Sequence, residues 1–148
     1  LIMGLFDAIN ISASGLTAER LRMDVVSNNI ANANTTRTET GGPYRRRMVV
    51  FQAREAAKPT FAGVLKRKLQ AGEGVRVLRI VEDDLPFKQV YDPSHPEANE
   101  QGMVNLPNVN IVAEMVDLIA ATRAYEANVT ALNASKSMAS RALEIGRI

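Results

Sequence analysis

The feature that most restricts the fold of this chain lies in its C-terminal third. Steps of four and three from Ile111 pass through Met115, Leu118, Thr122, Tyr125, Val129, Leu132, Lys136, Ala139 and Leu143, and eight of these ten side chains can bury apolar surface. A heptad-like stripe of that length predicts one long helix with a seam facing another helix. Ala120, Ala121, Ala124, Ala127, Ala131 and Ala134 favour helix and keep it narrow. Asn108 or Asn110 can accept bonds from its first free N–H groups, while Glu114 and Asp117 suit its positive end. A helix of about 35 residues is about 50 Å long. A chain of 148 residues cannot readily cover such a rod, so part of its surface needs another molecule.

A second helix is expected from about Leu5 to Ala31 or Ala33. Leu5, Ile9, Leu16, Met23, Val26 and Ile30 fall near one stripe, although Ser12 and Glu19 interrupt it. The small residues Ser12, Ala13, Ser14 and Gly15 invite close approach of another backbone, with a local bend as the alternative. Gly15 costs about 1 kcal/mol of helix preference relative to Ala. The stripe then breaks into "SNNIANANTT", with Asn28, Asn29, Asn32 and Asn34 in close succession.

Between the helices the period changes. Tyr44–Phe51 has a β-rich end at Met48–Phe51. In Gly74–Val81, Val75, Val77, Arg79 and Val81 share one face, and Gly72 with Gly74 frames a turn. Tyr91–Gly102, with two Pro and several short polar residues, reads as loop. The expected fold is therefore mainly α: long terminal helices forming an axial hairpin or coiled-coil-like domain, with a small β-rich or extended insert, partly mobile in the isolated chain. The segments are 3–36 for the N-terminal axial helix and its polar exit, 37–106 for the insert, and 107–148 for the C-terminal axial helix.

Charge is distributed unevenly. Residues 41–80 hold ten basic and two acidic groups, whereas residues 81–148 hold five basic and ten acidic groups. That asymmetry suits charge-directed contacts between copies or partners. The Arg45–Arg47 cluster and Lys66, Arg67 and Lys68, with Tyr44 and Phe51 for stacking, leave nucleic-acid binding as the alternative, although no recognition module accompanies them.

Little else in the chain suggests chemistry. It has no Cys, which removes disulfides, thiolate nucleophiles and thiolate metal sites, and its single His95 sits in the predicted loop. Glu82, Asp83 and Asp84 lack the spacing of a calcium loop and read as a solvated turn. Ser94 beside His95 does not make a nucleophile and base. Met23, Met115 and Met138 are expected to fill packing gaps. No catalytic residue, metal or cofactor is expected. No apolar run is long enough to span a bilayer, and no basic region precedes a short apolar core as in a cleavable signal peptide. Leu1 and Ile2 stand ahead of Met3, the expected start.

Two tracts carry a resemblance. "SASGLTAERLRMDVVSNNIANANTT", Ser12–Thr36, and "DPSHPEANEQGMVNLPNVNIVAEMVDLIAATRAYEANVTALNASKSMASRALEIG", Asp92–Gly146, closely resemble the terminal signatures of bacterial flagellar rod and hook axial proteins. The short length and the "YDPSHPEA" and "GMVNLPNVN" stretches look most like a proximal-rod member, with another short rod subunit as the alternative. Met103 stands where an aromatic is common in such sequences. The resemblance implies a structural subunit of the basal-body rod that transmits torque towards the distal rod and hook. It implies export beyond the inner membrane by the flagellar type III apparatus. Its implied partners are other rod proteins, membrane-ring or rod adaptor proteins, the export apparatus and further copies of itself. Carried onto this sequence, it makes Leu16, Met23, Val26 and Ile30 packing residues, and Asn28, Asn29, Asn32 and Asn34 a helix exit and subunit-contact hinge. Pro107, Asn108, Val109 and Asn110 lead into the second helix. Met115, Leu118, Tyr125, Val129 and Leu132 form its packing face, and Arg123, Glu126 and Asn128 the polar part of the same signature.

Overall fold

The computed structural model describes residues 2–39, 41–54 and 73–145, with side chains from Phe6 onward. Two long helices, α1 (Ile2–Ala31) and α2 (Ile111–Ile145), flank two antiparallel β-hairpins. The first pairs β1 (Arg47–Ala53) with β2 (Val75–Glu82); the second pairs β3 (Lys88–Tyr91) with β4 (Met103–Leu106). The expected axial hairpin with a β-containing insert is the fold observed. Gly72, Lys66, Arg67, Lys68 and the side chain of Leu5 lie outside the described residues.

Local chemistry sets the helix ends. Within α1, Ser14 and Thr17 donate their hydroxyls to the carbonyls of Ile11 and Ala13, so both hydroxyl protons are satisfied inside the helix. The helix stops in the Asn-rich run, where Asn32 donates both its backbone N–H and its side-chain amide to the Asn28 carbonyl. At the start of α2 it is Asn110 that caps. Its Oδ1 accepts from the N–H groups of Val112 at 3.1 Å and Ala113 at 3.3 Å, and its carbonyl takes the Glu114 N–H.

The helices run antiparallel in a fixed register, with Asn29 meeting Glu114, Met23 meeting Thr122 and Gly15 lying against Asn128. A Cβ on Gly15 would lie 3.0 Å from the Asn128 amide, so the small Ser12–Gly15 stretch serves close packing within a continuous helix. The seam differs from the expected stripe. Leu118, Tyr125, Val129, Leu132 and Ala139 are half-buried, but Ile111, Met115, Thr122, Lys136 and Leu143 are exposed. The buried residues of α2 are Glu114, Ala121 and Ser135, which lie one position before Met115, Thr122 and Lys136. One residue turns a helix by about 100°. The hairpin therefore closes on a small and polar line, and much of the apolar stripe is left outside.

In the first hairpin the pairing slips by one residue between Val50 and Phe51, leaving Leu78 as an extra residue in β2. The bulge breaks the expected alternation: Val75, Val77 and Val81 are half-buried, whereas Arg79 is exposed. Gly74 precedes β2 at φ +94°, and a Cβ there would overlap the Ser14 hydroxyl, which accepts the Val75 N–H at 3.1 Å. The second hairpin frames the predicted loop. Its strands are short, with Val90 opposite Val104 on the inner side, too little alternation to stand out in sequence.

The rotated seam makes a paired prediction. Ala121→Leu, at a position with no exposure, should destabilise the fold by about 1–3 kcal/mol through overpacking. Ala120→Leu, one residue away and exposed, should change stability by no more than about 0.5 kcal/mol. Chemical denaturation of the two variants checks the register.

Candidate subunit interface and the polar junction behind it

The largest fully buried side chains among the described residues are both polar, Glu114 and Asn29. Burial of a carboxylate is costly unless its oxygens are paired. Glu114 Oε1 accepts from Arg46 Nε at 2.6 Å, and Oε2 from Asn29 Nδ2 at 2.8 Å. Asn29 has no exposure and uses its amide fully. Nδ2 also donates to the Arg47 carbonyl at 2.8 Å, and Oδ1 accepts from the Arg47 N–H at 2.9 Å and the Tyr44 hydroxyl at 3.0 Å.

Arg46 spreads this junction. Its terminal nitrogens reach Asp83 and Asp117, each at 3.4 Å, and Asp117 in turn meets Arg22 at 3.3 Å. Its backbone N–H donates to Asn108 Oδ1 at 2.8 Å, while Asn108 Nδ2 donates to the carbonyls of Asp83 and Leu85. The end of α1, the start of β1, the turn after β2 and the start of α2 are thus tied at one point. Burial by itself would lower the proton affinity of Arg46; the hydrogen bond and charge of Glu114, helped by Asp83, outweigh it and raise the guanidinium above its usual value. Burial, the largest influence, raises the Tyr44 phenol, with Arg47 opposing and Glu114 and Glu82 assisting.

The acidic turn at Glu82–Asp84 needs correcting. Asp83 is not solvated but 8% exposed, its Oδ1 accepting the Leu85 N–H and its Oδ2 facing Arg46. The basic cluster is likewise absorbed by the fold. Arg46 is in the junction, Arg45 lies over the Phe87 ring at 4.4 Å, and Arg47 lies over the Tyr44 ring and pairs with Glu82 at 3.6 Å. Tyr44 is buried and unavailable for base stacking.

The residues expected at an interface fall into four groups. Asn29 and Val26 are buried inside the subunit, where Asn29 serves the chain itself. Leu16, Met23, Ile30, Leu118, Tyr125, Val129 and Leu132 are half-buried along or beside the seam. Met115, Arg123 and Glu126 are exposed on α2, and Asn28 and Asn34 at the exit of α1. Asn32 accepts the Thr35 hydroxyl, and Asn108 and Asn110 tie the approach to α2 and its cap. On the outer face of α2, Val112, Met115, Val116 and Ile119 form a contiguous apolar patch, each more than half exposed, and Arg123 and Glu126 continue the same line.

Sequence reasoning missed Tyr44, Arg46 and Asp83 as junction residues and Glu114 as its centre. One signal was present: Glu114, Ala121, Asn128 and Ser135 repeat every seven residues as a small and polar line beside the apolar one. Among the described residues no group of three or more His, Asp or Glu is placed to hold a metal ion, and no helix is long and apolar enough to cross a membrane.

Removing one junction partner strands the others in the interior. Glu114→Ala or Asn29→Ala should cost about 3 kcal/mol, and Tyr44→Phe about 1 kcal/mol. The stabilisation from protonated Tyr44 is complete below the unfolded phenol value of 10.0 and is lost as pH rises through the raised folded value. Denaturation of wild type and Tyr44→Phe from pH 8 to above 10.0 checks this, because the variant lacks that part of the alkaline loss.

Comparison with known proteins bears directly on these helices. Residues 9–37, most of α1 and its exit, match the family model described as flagella basal body rod protein. Residues 100–145, covering β4 and α2, match that of the flagellar basal body rod FlgEFG protein C-terminal. The chain is 52% identical to the flagellar basal-body rod protein FlgC of Borreliella burgdorferi, over 97% of this chain and 98% of that one. It is 50% identical to the protein so named in Bacillus subtilis, over 98% and 100%, and 40% identical to that of Aquifex aeolicus, over 97% and 98%. Alignments of that identity along almost the full length of both partners place the chain in the family of the flagellar basal-body rod protein FlgC.

Proposed function

We propose that the chain is a structural, non-catalytic subunit of the proximal rod of the bacterial flagellar basal body, and that it packs into the rod through the outer face of α2. The observation that carries this reading is the exposed patch Val112, Met115, Val116 and Ile119, which the subunit's own fold leaves uncovered. Four large apolar side chains held in water on one helical face gain free energy when a neighbouring helix covers them. Arg123 and Glu126 lie further along that line, where paired charges can set orientation. In this arrangement the segments 3–36 and 107–148 act as the axial part and 37–106 as the lateral part.

The polar junction suits such a subunit mechanically. Torque passes through a stack of subunits only if each behaves as a stiff body, and an angle set by directional hydrogen bonds resists change more than one set by apolar contact. The partners in this reading are neighbouring rod proteins, adaptors that join rod to membrane ring, and further copies of the chain. Delivery uses the flagellar type III export apparatus.

Ile119→Asp separates assembly from folding. Because Ile119 is exposed, the isolated variant should keep its stability to within about 0.5 kcal/mol. In cells lacking the native chain, the variant should be absent from purified basal bodies and motility should be lost. Leu118→Asp and Val129→Asp, at the half-buried seam, should instead lower the stability of the isolated subunit. Normal incorporation of Ile119→Asp would refute the assignment of this face.

A further inference from the structure

The segment between α1 and β1 borders, with the end of β2, a cavity that lies apart from the α2 face. It has a volume of about 340 Å³, and Gly41, Gly42, Arg45, Arg47, Glu82 and Phe87 are part of its lining. Gly41, Gly42, Arg47 and Glu82 are exposed, so the cavity opens to solvent. Gly41 and Gly42 have φ of +84° and +78°, a left-handed geometry that accounts for glycine at both positions. A Cβ on either would meet nothing within 4 Å, so neither a side chain nor a neighbour covers the backbone there.

Two of the lining residues are arginines whose guanidinium groups lie over rings, Arg45 over Phe87 at 4.4 Å and Arg47 over Tyr44 at 5.7 Å. Such stacking occupies the flat face of a guanidinium and leaves its N–H edge for acceptors. Arg45 donates one N–H to the Asp83 carbonyl at 3.0 Å, but the Asp83 carboxylate is turned to Arg46, and Arg45 makes no ion pair among the described residues. Arg47 meets Glu82 at 3.6 Å, longer than a hydrogen bond, with both side chains more than half exposed, and a pair of that kind holds little. Two cations against one carboxylate leave the lining with one positive charge in excess.

We infer that this cavity receives one carboxylate side chain, Asp or Glu, from a neighbouring rod subunit. A single carboxylate matches the excess charge, and its two oxygens can accept from guanidinium edges. Glu82 on the same wall opposes a more highly charged ligand such as free phosphate. Nucleic acid would need ring faces for its bases, but Tyr44 is buried and Phe87 already carries Arg45 on one face. The inference rests on the rod reading and gives the lateral part of the subunit a polar contact, beside the apolar contact made by α2.

Arg45→Lys provides the test, because a water-soluble carbodiimide joins an amine to a carboxylate in contact with it through an amide bond. The tagged variant is produced in cells lacking the native chain, and isolated basal bodies are treated with the reagent. Mass spectrometry is expected to find position 45 linked to an Asp or Glu of another chain, a link that the isolated subunit does not form under the same treatment. Its yield should fall about tenfold when the chain also carries Arg47→Gln. Basal bodies that contain the variant but yield no such link, or a link that the isolated subunit also forms, would overturn the inference. Should Arg45→Lys fail to assemble, NMR of the isolated wild-type subunit decides. The Nε–H signals of Arg45 and Arg47 should both shift with a capped Gly-Glu-Gly peptide and not with capped Gly-Gln-Gly. Absence of those shifts, or a stronger response to inorganic phosphate than to the Glu peptide, rejects the carboxylate assignment. Absence of the tagged wild-type chain from basal bodies would instead reject the rod reading itself.

Discussion

Everything in this subunit hangs on the pairing of Glu114 with Arg46 and Asn29. A carboxylate at the start of α2 has been removed from water, and the groups that compensate it come from the first strand of the insert and the end of α1. The penalty for an unpaired buried charge is large, so displacing any of these elements costs more than the net worth of one hydrogen bond. That asymmetry makes the junction a geometric constraint. It ties the end of α1 to the start of α2 in one register and holds the start of β1 against both.

The constraint also explains why apolar surface remains uncovered. An axial hairpin closed on Glu114, Ala121 and Ser135 must turn the opposite side of α2 outward, and that side carries Val112, Met115, Val116 and Ile119. A helix buried on both sides needs two partners, and the chain supplies only one. Polar, directional contacts thus set the shape of the subunit, and the apolar face of α2 is left outside it, where the proposed rod contact is made.

Parts of this were legible without a structure. Helix periodicity is a local property, so both long helices, the Asn110 cap and the Asn-rich end of α1 could be anticipated from neighbouring residues alone. β2 was legible because Val75, Val77 and Val81 alternate; β3 and β4 were not, because four-residue strands carry too few positions to establish a period. The bulge at Leu78 also escaped, since it arises from a mismatch with β1 and not from any property of β2.

By itself the sequence determined the two long helices, a β-containing insert between them and their order, because each follows from propensities and periods acting over a few residues. Tertiary structure alone decided which stripe of α2 faces inward. Two lines one residue apart, one apolar and one small and polar, were both available, and hydrophobicity alone favours the first. The second prevails because Asn29, Arg46 and Tyr44, distant in sequence, converge to satisfy Glu114, and small residues then let the helices approach closely. Long-range satisfaction of a buried charge has no local signature. It exists only once the chain has brought its ends together.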